Sequence, residues 1–190
     1  YYVSFILEFF YALVVIYTPI YLQNLGVSWG GIGIIFTFML TPFVILQYPL
    51  GLLADKKIGE KKIIIFAICI IAAFTLAIYF VGSTEIWVWA VVLFGTRIGA
   101  ATLEIMRDSY FYKRIDSCNV DVINFFRTAQ SVAYIGATAI SFLIFQFYPE
   151  NAIRVIFLVV AGVLITGLYP AFFLFNNSPE TNLKKARCTK

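Results

Sequence analysis

The segment Gly51-Leu52-Leu53-Ala54-Asp55-Lys56-Lys57-Ile58-Gly59-Glu60-Lys61-Lys62 gathers a dense run of charge into a chain that otherwise carries little. Upstream, no charged residue occurs between Glu8 and Asp55; downstream, none occurs between Lys62 and Glu85. Charge this sharply bounded by apolar sequence marks an exit from a non-aqueous phase, because an ionised side chain at the centre of a bilayer is costly. Apolar runs on either side are continuous and do not alternate, so each reads as a helix that satisfies its own backbone, not as a strand of a barrel.

The whole chain agrees with that local reading. Of its 190 residues, 62% are hydrophobic, 18% aromatic and only 13% charged, and the mean hydropathy is +0.90. Soluble domains run at about 45–50% apolar and about 25% charged. At roughly 20 residues per crossing, this length holds about six spans with short connections. The chain contains no His, and Cys69, Cys118 and Cys188 lie far apart without a CxxC pair. Imidazole bases, Ser-His-Asp triads, zinc sites and a disulfide framework are therefore not expected, nor is a cofactor. With no cluster of carboxylates either, the reading is of a membrane protein that is not an enzyme.

Charges and turn residues divide the sequence into spans at about 2–22, 29–54, 63–82, 86–106, 122–147 and 152–175, followed by a basic tail at 176–190. Gln23-Asn24-Leu25-Gly26-Val27-Ser28, Ser83-Thr84-Glu85 and Tyr148-Pro149-Glu150-Asn151 form the turns on one side. Trp87 and Trp89 open the fourth span as an aromatic pair of the kind found at membrane interfaces. The expected class is an all-α membrane protein with six transmembrane helices.

Lys56, Lys57, Lys61, Lys62, Arg107, Lys113, Arg114, Lys184, Lys185, Arg187 and Lys190 all fall on the other side. By the positive-inside rule both termini and both longer loops are cytoplasmic, most simply at the plasma or inner membrane. The net charge of +4 is thus a topology signal. Short juxtamembrane loops of this kind do not point to a nucleic-acid partner.

In the opening segment the chain resembles the major facilitator superfamily. That family carries a signature in the loop after the second helix of a six-helix half. Gly51, Asp55, Lys56, Gly59, Lys61 and Lys62 match it, with one extra residue between Lys56 and Gly59. The resemblance covers essentially the whole chain as one bundle of a twelve-helix fold. It implies a secondary transporter that moves a small solute by alternating access, with this loop as a cytoplasmic latch on the outward-facing state. It also implies a missing six-helix partner half. Since the chain starts at Tyr1 without a Met and stops in a short tail, the C-terminal half is the expected assignment, with an N-terminal half cut at both ends as the alternative. A free-standing six-helix protein or a non-transporting adaptor is the alternative. Residue chemistry gives the motif a rationale of its own: Gly51 allows close helix approach, Asp55 can accept from a neighbouring helix or pair with a base, and Gly59 permits a tight reversal.

Two ionisable groups fall inside spans. Glu8 lies about 21 Å, and Arg97 about 16 Å, from the same surface by helix rise. The resemblance implies that helices 1 and 4 line a central cavity, which makes Glu8 and Arg97 candidates for the substrate or proton pathway. They would act as a pair or as a charged substrate site; coupling to protons stays open, as does a position of Glu8 nearer the cytosol. Arg97 sits within Gly95-Thr96-Arg97-Ile98-Gly99, a GxxxG spacing that allows close packing. Glu104 and Arg127 are expected to form an ion pair, structural or gating, in a network with Asp55 and Asp108.

Overall fold

A computed structural model describes residues 1–55, 60–112 and 120–174. They form the helices α1 Tyr2–Asn24, α2 Trp29–Asp55, α3 Glu60–Phe80, α4 Ile86–Tyr112, α5 Val120–Phe147, α6 Ala152–Thr166 and α7 Leu168–Phe172, with short connections between α1 and α2, α3 and α4, and α5 and α6. Six helical stretches are long and apolar enough to cross a membrane, α6 and α7 together making the last. Lys56 and Gly59 of the signature, and the basic tail, lie outside the described residues.

Helices α1 and α4 make the centre. Of their most apolar windows, 50% and 61% are buried, against 28% for α2 and α5. α4 packs along α2 and α3, α1 along α5 and α6, and α3 also meets α6. The helices alternate in direction, so the starts of α1, α3 and α5 share one end with the finish of α2 and α4. This end, which bears Lys61, Lys62, Arg107 and Arg127, is called the basic end below.

Close approach of α4 to α3 depends on absent side chains. A Cβ added at Gly99 would come within 2.6 Å of Ile71 Cγ1 and 3.0 Å of the Ala67 carbonyl, and one at Gly95 would strike the Phe74 ring. Without a hydrophobic driving force between helices in lipid, such backbone proximity is what dispersion contacts require. Gly51 behaves differently. A Cβ there meets nothing within 4 Å, so the expected close approach at Gly51 is not made within this bundle. α2 reaches its neighbour α4 farther back along its length, where Ile35 and Met39 are buried.

Three features depart from the sequence-based boundaries. α4 continues past Met106 to Tyr112, because its charged turn is paired internally and need not leave the helix. The last crossing breaks at Gly167, since Pro170 has no N–H to offer the Thr166 carbonyl; Gly167 N–H instead closes a tighter turn on Leu164 O at 3.0 Å. Of the tryptophan pair only Trp87 is exposed. Trp89 is fully buried and donates Nε1–H to Ser83 O at 2.7 Å.

At the end opposite the basic one, Tyr21 ties three helices together. Its hydroxyl accepts from Arg154 Nε at 3.0 Å and donates to Val81 O at 3.4 Å, while its ring meets those of Trp89 and Phe157 edge-on at 5.5 and 5.7 Å.

Replacing Gly99 by Leu should destabilise the bundle by about 1–3 kcal/mol through overpacking against Ile71. Gly162→Ala, where an added Cβ meets nothing within 4 Å, should be neutral or stabilising by up to about 1 kcal/mol. Thermal unfolding of the two variants in detergent checks the difference.

Candidate functional site

The α1–α4 seam holds Glu8, Arg97, Glu104, Arg107 and Asp108 in two tiers. In the upper tier Arg97 is buried, with 3% exposure. Its guanidinium lies over the Tyr11 ring at 5.3 Å and the Phe10 ring at 5.8 Å. Tyr11 then donates its hydroxyl to Glu104 Oε2 at 2.8 Å. Arg97 and Glu104 are seven residues apart on α4 and so share a face, and Tyr11 of α1 bears on both.

In the lower tier, nearer the basic end, Arg107 donates Nη1–H to Glu8 Oε1 at 3.3 Å and Nε–H to Asp108 Oδ1 at 2.9 Å. Its guanidinium also lies 5.6 Å over the Phe126 ring, which stacks on Phe111 with centroids 3.7 Å apart. A cavity of about 230 Å³ opens beside this tier, bordered by Ser4, Glu8, Arg107, Asp108, Tyr112, Phe126, Arg127, Ala129 and Gln130.

Glu8 thus meets Arg107, and the Glu8–Arg97 pairing is corrected. The direction of the side chains explains why. Contact between Tyr21 and Trp89 aligns the two helices; from there Glu8 is about 20 Å along α1, midway between Arg97 at about 12 Å and Arg107 at about 27 Å along α4. Side chains lean toward the N-terminus of their own helix, so on antiparallel helices Glu8 leans away from Arg97 and toward Arg107. The expected Glu104–Arg127 ion pair is not formed either. Glu104 takes the Tyr11 hydroxyl, while α5, which bears Arg127, packs along α1. Arg127 faces the lower cavity. Asp108 does join a charged network, through its neighbour Arg107.

Sequence reasoning missed Arg107 and Tyr11. Arg107 counted only as a topology charge, although it follows Glu104 by three residues and extends the Arg97 face. Tyr11 follows Glu8 by three and was one aromatic among many. In the signature segment, α2 ends at Asp55, and α3 begins at Glu60. Glu60 accepts from Ser109 at 3.1 Å, joining α3 to the end of α4.

Six apolar crossings define an integral, multi-pass membrane protein. The chain belongs to the major facilitator superfamily: the model described as Major Facilitator Superfamily matches residues 1–189. No curated protein matches it. The family is one of transporters, so the bundle is a transporter bundle, set in a lipid bilayer.

A double-mutant cycle on Glu8→Gln and Arg107→Gln should give a coupling of about 1–3 kcal/mol, since both side chains are held away from water. The Glu8–Arg97 cycle should stay within about 0.5 kcal/mol. Unfolding midpoints of the purified protein measure both.

Proposed function

We propose that this bundle forms one wall of a secondary transporter, moving a small solute by alternating access against a second six-helix half. Residues 1–175 act as one unit and the stretch from 176 as a cytoplasmic tail. The observation that carries the reading is the buried Arg97 on a seam between the two central helices of a major facilitator chain. A charge in a span marks a substrate or ion path more often than a packing role, because packing alone would favour an apolar residue.

Within that reading Arg97 is the solute contact. Glu8 belongs to the tier that holds the seam closed toward the basic end. A Glu8 carboxylate freed from Arg107 is able to take a proton, so Glu8 is also where coupling to protons would enter. The eleven lysines and arginines gathered on one side support cytoplasmic termini and a plasma or inner membrane location. Gly51, Asp55, Lys56, Gly59, Lys61 and Lys62 act as the cytoplasmic latch, Glu104 and Asp108 as parts of the adjoining gate, and Arg127 as a cation at its mouth.

Two outcomes are expected in the intact protein. Arg97→Ala should abolish uptake in reconstituted vesicles while membrane insertion remains normal; unchanged uptake would sink the assignment. Asp55→Asn should lower the outward-facing population, read as greater accessibility of cytoplasmic-side cysteine probes. Accessibility equal to that of the native protein would remove the latch role.

A further inference from the structure

The upper tier leaves part of Arg97 unanswered. Its Nε and Nη2 are both buried, and both lack a hydrogen-bond partner. These two nitrogens lie on the same edge of the guanidinium, with parallel N–H bonds, and that edge matches the two oxygens of one carboxylate or oxyanion. Phe10 and Tyr11 contribute ring faces, which attract the cation but accept no hydrogen bond in its plane. Buried donors left bare are costly, and in native proteins nearly all find an acceptor.

Among the described residues no carboxylate bonds Arg97. Glu104 takes the Tyr11 hydroxyl at 2.8 Å, and Glu8 and Asp108 both take Arg107, at 3.3 and 2.9 Å. The edge formed by Nε and Nη2 is thus open to an acceptor from outside the bundle. Resting on the transport reading above, we propose that the solute is a small anion whose carboxylate or phosphate-type oxyanion docks side-on to Nε and Nη2 of Arg97. Access follows separation of α1 from α4, and Tyr11, which bridges Arg97 and Glu104, moves with α1. Neutral and cationic solutes lack the acceptor pair and gain nothing from this edge.

The test uses the intact transporter in proteoliposomes with radiolabelled lactate, succinate, inorganic phosphate, glucose and tetraethylammonium, each supplied separately. Uptake of at least one anion is expected, with glucose and tetraethylammonium at background. Arg97→Gln should reduce that uptake at least tenfold. Arg97→Lys keeps the charge but loses the fork, so it should raise KM about tenfold with kcat less affected; this variant decides the matter if Arg97→Gln fails to insert. Uptake of glucose or tetraethylammonium with the anions at background overturns the anion assignment and leaves the transport reading standing. Native KM in Arg97→Lys likewise overturns the side-on fork. Background uptake of all five solutes overturns the transport reading and this inference with it.

Discussion

A charge held out of water has to be answered by something, and the α1–α4 seam is organised around that requirement. Apolar packing would let two helices slide or rotate past each other at little cost. Arg107 on Glu8, and Glu104 under Tyr11, add directional bonds that favour the register observed. Removing one member of a half-buried pair leaves the other without its partner in a medium of low polarity, which is destabilising. The remaining helices can be understood as support for that seam: α3 locks on to α4 through Gly95 and Gly99, and α5 and α6 flank α1.

The faces that α4 turns toward α3 and toward α1 use different physics. Toward α3 it offers bare backbone, and contact is by dispersion over a wide area. Toward α1 it offers polar groups, and contact is by a few directional bonds. The first kind of interface is insensitive to charge and protonation. The second can exchange partners at small cost when a new acceptor arrives. A bundle with one fixed and one exchangeable interface on the same helix is suited to motion of α1 against a stable α3–α4 pair.

Much of this fold was legible in the residues because a bilayer leaves few options. Uninterrupted apolar runs, with charge confined to their ends, specify helices and their number. The signature around Asp55 identified the family, and the GxxxG spacing at Gly95 and Gly99 located a tight helix contact. Partner choice inside the seam was not legible, since it depends on the register of two antiparallel helices. That register is set by Tyr21 against Trp89, a contact between residues distant in sequence. Counting from span ends put Glu8 opposite Arg97, and the lean of side chains along each helix moved it to Arg107. Arg107 itself was hidden because a basic residue near a span end serves topology equally well. Gly51 shows the converse: a glycine in a motif does not imply a contact within its own bundle.

The clasp on Tyr21 has a mechanical consequence. With its hydroxyl bound to Arg154 and Val81 and its ring between Trp89 and Phe157, α1 is pinned near one end. Glu8 sits about 20 Å farther along the same rod. A tilt of about 5° about the clasp moves Glu8 by about 2 Å over that arm, enough to carry a 3.3 Å contact with Arg107 beyond hydrogen-bond reach. A small rotation at one surface of the membrane would thereby break an ion pair near the other.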